Sequence, residues 1–182
     1  MTVLDGTVGV LEIATKVRGG QVSALDIAQA ALDRVDSAQA RLNAFTTVTI
    51  ERALTAAADI DRRVAAGEPV GALAGVPFAV KDLFDLKGEV TIAGSTVLAA
   101  RPPAERDAAA VERLTRADAV PIGATTMDEF AFGFTTSIET PVCRFEPEES
   151  AKRCRNSDRA VGVGSECERN QPASHSSSRT AR

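Results

Sequence analysis

The chain has 182 residues, which suffices for one domain with a sizeable core and excludes a large multidomain assembly. Hydrophobic residues make up 44% and charged residues 25%, the balance of a globular protein rather than a disordered or membrane-spanning one. The net charge of −4 and the absence of Trp and Tyr argue against a nucleic-acid-binding domain, which needs a basic surface and stacking groups.

Two amphipathic helices are predicted at the start of the chain. Apolar residues recur at helical spacing over residues 10–17, and Gly19 ends that helix. A second helix begins at Ser23, whose hydroxyl caps it together with Asp26 in an arrangement like a capping box. The residues expected on its buried face are Leu25, Ile27, Ala28, Ala31, Leu32 and Val35.

A short strand and a third helix follow. Residues 42–50 are rich in β-branched side chains and predict a strand, although their flanks suit a loop almost as well. The third helix covers residues 51–66, with Arg62 and Arg63 pointing outward. Its inward residues are Leu54, Ala57, Ile60 and Val64.

The next part of the chain alternates strands and helices. Residues 71–95 indicate buried strand and loop, and residues 107–118 fit a helix with Ala110, Val111 and Leu114 inward. The string AVPIGAT predicts a strand ending at Gly123, and Thr126 is expected to cap another helix. This alternation predicts an α/β core.

The last 40 residues have another composition. Residues 143–182 hold all three cysteines and the only histidine, and they carry a net charge of +2, against −6 for residues 1–142. Large apolar residues are too few there to cover a helix stripe or a strand face. The sequence therefore predicts a domain over residues 1–140 and a non-homologous, disordered tail over residues 141–182.

Lys81 has the surroundings of a reactive lysine. It lies in an apolar run, residues 76–84, and faces the opposite side of a strand from Val80. Because such a run is typical of an interior strand, Lys81 is expected to be buried, where a lysine loses its proton readily and can act as a general base. The alternative is an ion pair with Asp82 or Asp85, or an ammonium that reaches solvent.

Four strings of sequence resemble the amidase signature family in their order and spacing. They are LAGVPFAVKD at 73–82, AGS at 93–95, DA at 107–108 with Leu114, and GATTMDEFAFG at 123–133. The similarity covers about residues 8–138. Residues 127–136 most resemble the subunits that hydrolyse 1-carboxybiuret, and amidotransferase A subunits share much of the pattern.

The resemblance implies N-terminal helices followed by part of a mixed-sheet α/β/α core, and hydrolysis of a small amide substrate without cofactor or metal. In that family a serine attacks the carbonyl, a second serine in a cis peptide relays protons, and a lysine acts as base and then acid. Lys81 matches the family's catalytic lysine. Asp82 is expected to be an ion-pair or capping residue.

Both serines of that triad are unmatched here. The family's Gly-Gly-Ser-Ser-Gly-Gly-Ser loop is replaced by NSDRAVGVGS at 156–165, whose branched and charged residues obstruct the amides of an oxyanion hole. Asp118 also stands where the family usually has Gly, and Thr126 where Asn is common. A frameshift near residues 137–145 is our hypothesis for both the lost similarity and the changed composition, and the coding DNA tests it.

Two other roles for the C-terminal residues are disfavoured. Cys143, Cys154, Cys167 and His175 are spaced too widely for the short knuckles that pre-organise zinc. The tail's charges alternate in sign with one aromatic residue among them, which argues against an RNA-binding segment.

Two classes of function therefore remain. The first is an amide hydrolase, or a relative of the amidotransferase A subunits that acts on the glutamine amide. The second is an inactive fragment or interaction subunit, because one member of a triad cannot perform the reaction. We expect a partner subunit or a second copy of the chain as partner, no nucleic acid, no membrane, and a cytoplasmic location.

Overall fold

A computed structural model of the protein describes residues 8–132, and it confirms the predicted α/β fold. The α-helices are α1 (Val10–Arg18), α2 (Ala24–Leu42), α3 (Ile50–Ala65) and α4 (Ala109–Arg116). The strands are β1 (Phe45–Val48), β2 (Pro77–Lys81) and β3 (Val120–Thr125). The predicted tail, with its cysteines and histidine, lies outside the described residues.

The three strands form one mixed sheet with β3 in the middle. β1 pairs with β3 in antiparallel orientation and β2 pairs with it in parallel orientation. Every residue of β3 except Thr125 is buried, because the strand is covered on both edges and both faces. The structure contains the strands predicted at residues 42–50, within residues 71–95 and at AVPIGAT, and β3 continues two residues beyond Gly123.

A proline in the middle of a sheet is accommodated by a bulge. The register between β2 and β3 slips after Pro121 and leaves Ile122 as an extra residue on β3. Proline cannot donate to a ladder, so within sheets it is found at edges and bulges. Thr49 adds support on the other side: its amide donates to the Ile122 carbonyl at 2.8 Å and its hydroxyl to the Pro121 carbonyl at 3.2 Å.

Helices α1, α2 and α3 pack with β1 and β3 to form the main core. Its buried members include Val17, Ile27, Ala28, Leu32, Val48, Ala57, Ile60, Val120 and Ile122. Five apolar positions of the predicted helical stripes are exposed, namely Val10 and Leu11 on α1, Leu25 on α2, and Ala110 and Leu114 on α4. Helical spacing places a residue within a stripe, but the width of the stripe depends on how the neighbouring elements cover it.

The cap of α2 is shared with another helix. The Ser23 hydroxyl accepts from the Asp26 amide at 3.2 Å, as predicted. The acidic partner in this cap is Asp61 of α3, which accepts from the Ser23 hydroxyl at 2.6 Å and from the Ala24 and Leu25 amides at 2.7 and 3.0 Å. The cap therefore joins α2 to α3, which local sequence spacing does not reveal.

Arg63 does not point outward as predicted. Its guanidinium binds both carboxylate oxygens of Asp118, and the same carboxylate accepts from the Gly71 amide. Asp118 has a φ of +64°, in the left-handed region that explains why glycine is usual at this position. Here the ion pair compensates for a non-glycine residue, and it fastens the turn before β3 to α3.

Gly123 tests the dependence of the sheet on its central strand. A Cβ at this position would lie 2.2 Å from the Thr47 carbonyl oxygen of β1, a backbone atom that cannot move independently. We expect Gly123→Ala to lower the free energy of unfolding by about 1–3 kcal/mol, measured by urea denaturation of the whole chain. Ala79→Ser, at the exposed residue paired with Gly123 on β2, should change it by less than about 0.5 kcal/mol. Equal stability of the two variants would contradict the close approach of β1.

Candidate functional site

The carboxyl ends of β2 and β3 bring the chemically interesting residues together. Lys81 is the last residue of β2, and the register places it opposite Thr125, the last residue of β3. Parallel strands end at the same edge of a sheet, and ligands of open α/β sheets bind outside that edge. The Thr125 hydroxyl donates to the Val80 carbonyl at 3.4 Å, which ties the two strand ends together.

Three of the four strings that resemble the family converge at this edge. The Asp82 amide donates to the Thr125 carbonyl at 3.1 Å, and the Asp82 carbonyl accepts from the Ala93 amide at 2.9 Å. The Ala93 carbonyl in turn accepts from the Phe130 amide at 2.9 Å. A chain of backbone hydrogen bonds therefore links residues 73–82 and 93–95 to residues 123–133.

The fourth string holds the loop between β2 and α4 against α3. Arg52 of α3 makes two hydrogen bonds to the Asp107 carboxylate, one of them at 2.9 Å, and the Lys87 amide donates to the same group at 2.8 Å. The Arg52 guanidinium lowers the pKa of Asp107, more than burial raises it. Asp107 is therefore an anchor of the loop rather than a member of the reactive site.

Lys81 is exposed, which corrects the expectation of a buried lysine in an interior strand. Among residues 8–132, β2 pairs with β3 along one edge and has no strand along the other, so solvent reaches its final residue. Within that range its ammonium makes no ion pair or hydrogen bond, neither with Asp82 nor with Asp85. The structure thus places Lys81 at the carboxyl edge of the sheet, without the burial that the predicted role of a general base requires.

Asp82 is the buried group that the sequence argument missed. It is 2% exposed and makes no ion pair with the described residues, so the expected ion-pair role is wrong. Its Oδ1 accepts from the Ile92 amide at 3.2 Å. Burial raises the pKa of the carboxyl, while the Thr46 hydroxyl and the Ile92 amide act in the opposite direction. Strict alternation after Val80 was the available signal, because it turns Asp82 inward.

The serine at this edge is not a free nucleophile. Ser95 is fully buried, and its hydroxyl donates to a Glu129 carboxylate oxygen at 2.7 Å. This bond ties the turn at residues 93–95 to the 3₁₀ turn Glu129–Ala131. That turn is all the helix present after β3 up to residue 132, and Thr126, the expected cap, instead donates to the Ala44 carbonyl before β1. Ser95 is therefore a structural group.

The surroundings show no metal centre among residues 8–132. No group of three His, Cys, Asp or Glu side chains there is arranged to hold a metal ion. A cleft of about 210 Å³ is lined by Asp85, Thr91, Arg101, Pro102 and Ala104. Within it, the Thr91 hydroxyl donates a hydrogen bond to the Asp85 carboxylate at 2.6 Å. In the same part of the chain, no helix has both the length and the apolar character to cross a bilayer.

Comparison with known proteins identifies the family to which the chain is similar. The profile of the Amidase family matches residues 26–143. The chain is 47% identical over 126 residues to AtzE, the 1-carboxybiuret hydrolase subunit of Pseudomonas sp. (strain ADP), covering 69% of this chain and 28% of that protein. It is 51% identical over 126 residues to the A subunit of the glutamyl-tRNA(Gln) amidotransferase of Salinispora tropica, covering 69% of this chain and 25% of that protein.

A solved structure agrees with the fold. It belongs to a vestigial protein complex that reveals the evolutionary origins of an s-triazine catabolic enzyme. The superposition has a TM-score of 0.69 at 45% identity and covers 70% of this chain and 28% of that one. The chain thus spans about a quarter of the length of the proteins it resembles.

The Arg52–Asp107 pair predicts a specific acid sensitivity. Because the pKa of Asp107 is lowered in the folded state, its stabilising effect is present at neutral pH and is lost as pH falls through the folded value. We expect Asp107→Asn to be less stable than wild type at pH 7 and the difference to shrink toward pH 3, in urea titrations at several pH values. Asp36→Asn, at an exposed site on α2, should show no such trend. A constant difference across pH would contradict the ion-pair role.

Proposed function

Because the chain belongs to the amidase signature family, we propose that it supplies the lysine-bearing part of a hydrolase of amide C–N bonds. The observation that carries this proposal is the position of Lys81. It ends a parallel strand at the edge where the strings that resemble the family converge. That is the edge of an α/β sheet where a bound substrate is reached.

The proposed chemistry assigns Lys81 a proton-transfer role. An amide and water yield a carboxylic acid and an amine or ammonia. Lys81, when neutral, accepts the proton of the attacking serine hydroxyl through the second serine, and later returns it to the departing nitrogen. No cofactor is needed for this sequence, since both proton transfers use protein side chains.

Residues 8–132 do not complete that machinery. Ser95 is buried and bonded to Glu129, and the Lys81 side chain is exposed to solvent. The proposal is therefore that the lysine becomes a base when further protein covers this edge and supplies the two serines. The 182-residue chain by itself is proposed to be inactive, with a domain boundary near residue 140, as its C-terminal composition indicates.

Exposed apolar side chains beside the lysine favour a covering protein. Leu83 and Phe84 follow Lys81 and are 45% and 43% exposed, and Phe130 at the end of the neighbouring string is 55% exposed. Apolar side chains grouped at one edge of a sheet are typical of an interface. A second candidate function rests on the same surface: a non-catalytic subunit that binds a partner chain. The relatives are themselves named as subunits.

The substrate and location are proposed only in general terms. The relatives are named for 1-carboxybiuret hydrolysis and for an amidotransferase, so a small amide or a glutamine amide is proposed. A cytoplasmic site of action remains a prediction.

A chimera tests the role of Lys81 in hydrolysis. Residues 8–138 would replace the matching segment of AtzE, which supplies the remainder of the domain. We expect the chimera to hydrolyse AtzE's substrate, and Lys81→Ala within it to lower kcat/KM by about 10²–10⁴-fold, the usual contribution of a general base. Lys87→Ala, at an exposed lysine in the loop that follows β2, is the matched control and should leave kcat/KM within a factor of about two.

The unmodified chain tests the proposal that it is inactive alone, and the chimera separates the two candidate functions. We expect no labelling by a serine-reactive fluorophosphonate and no ammonia from simple amides. Labelling of the 182-residue chain would refute the proposal that it is inactive alone. Equal activity of the Lys81→Ala and Lys87→Ala variants of the chimera would remove the catalytic assignment of Lys81 and leave the non-catalytic subunit as the function.

A further inference from the structure

We propose that Asp82 is a positioning residue for Lys81, acting through buried hydrogen bonds that join the end of β2 to β3 and to the turn at residues 92–95. This inference rests on the proposed function of Lys81 and adds to it a group outside the Ser–Ser–Lys set. It also adds Thr46, a residue of β1 that the sequence argument did not single out.

The backbone of Asp82 fixes the residue that precedes it. The Asp82 amide donates to the Thr125 carbonyl at 3.1 Å, and its carbonyl accepts from Ala93 at 2.9 Å. The peptide unit between Lys81 and Asp82 is therefore held by β3, and the peptide unit between Asp82 and Leu83 is held by the loop. Its side chain reinforces the second attachment, because Oδ1 accepts from the Ile92 amide at 3.2 Å.

Thr46 is the extra residue of a bulge in β1. The β1–β3 register skips Thr46 between the pairs Phe45–Thr125 and Thr47–Ala124, so Thr46 is the extra residue. A bulge re-aims its side chain relative to the regular alternation of a strand. The Thr46 hydroxyl donates to the Ala124 carbonyl at 3.3 Å. The same hydroxyl lowers the pKa of the Asp82 carboxyl, against the larger effect of burial.

The carboxyl is not fully satisfied. Its Oδ2 is buried and has no hydrogen-bond partner among the described residues. A buried charge without full compensation is costly, and taking up a proton removes that charge. Burial accordingly raises the pKa of Asp82, and no charged side chain is among the groups that oppose this shift.

The nearby charged groups are otherwise accounted for. Lys81 precedes Asp82 and extends into solvent, Asp85 accepts from the Thr91 hydroxyl, and Glu129 on the adjacent turn accepts from Ser95. The groups that lower the pKa of the Asp82 carboxyl are the Thr46 hydroxyl and the Ile92 amide, and both are uncharged. Protonation of Asp82 is thus the change that alters the contacts holding the Lys81 backbone.

The test is a pH titration of the 182-residue chain followed by amide NMR, with the Asp82 carboxyl observed directly by ¹³C. We expect the Lys81, Ile92 and Ala93 amide shifts to follow the midpoint of the Asp82 carboxyl, above the ordinary aspartate range. Asp82→Asn should remove that common transition. Asp85→Asn, at the exposed neighbouring carboxylate, should leave it in place.

Substitutions of Thr46 provide a second test, which does not require the Asp82→Asn variant to fold. Because the Thr46 hydroxyl favours the ionised carboxyl, Thr46→Val should move the midpoint to higher pH and Thr46→Ser should leave it near the wild-type value. A residue that is only a structural spacer would produce no such pair of shifts.

The sign of the stability effect gives an independent check. A folded-state pKa that is raised means that wild type loses stability, relative to Asp82→Asn, as pH rises from the ordinary carboxyl range through the folded value. A Lys81 amide that stays constant while the Asp82 carboxyl titrates would overturn the proposal. Neither readout uses amide turnover, so an inactive chain does not affect the result, and a constant Lys81 amide leaves the hydrolysis proposal standing.

Discussion

The described structure depends on β3, the strand to which every other part of the sheet is attached. β1 pairs with one edge of β3 and β2 with the other, and the core of α1–α3 packs against its buried side chains. Gly123 permits the close approach of β1, and the bulge at Ile122 lets a proline occupy a central strand. Because the end of β2 is defined by its pairing with β3, the position of Lys81 follows from the same ladder.

The sequence predicted the elements better than their surroundings. Helical periodicity and the Ser23 cap located α1 to α3, and β-branched runs located β1 and β3, since these signals are local. The buried faces of the helices were predicted less accurately, since Leu25 and Leu114 satisfy the helical spacing yet are exposed. Arg63 was assigned to solvent because its partner Asp118 is 55 residues away along the chain. Long-range pairing of this kind has no signature in a single local window.

The candidate site shows the same division. The motif around Lys81 predicted its place on a strand, but the burial of Lys81 depends on whether another strand covers the β2 edge, which no property of residues 76–84 decides. Asp82 was expected to be an ion-pair or capping residue. It makes no ion pair with the described residues, its Oδ1 accepts from the Ile92 amide, and the alternation from Val80 turns it inward. The resemblance to the amidase signature family concerned the local strings and is confirmed by the match over residues 26–143. The frameshift near residue 140 stays a hypothesis.

The most direct test of this account is amide hydrogen exchange by NMR on the 182-residue chain, because it measures the stability of β3 residue by residue. We expect the β3 amides, including Val120, which donates to the Val76 carbonyl at 2.8 Å, to exchange only through global unfolding. Their exchange free energy should equal the free energy of unfolding from urea denaturation. Exchange of these amides through local opening, while α2 and α3 remain protected, would contradict β3 as the strand that positions Lys81.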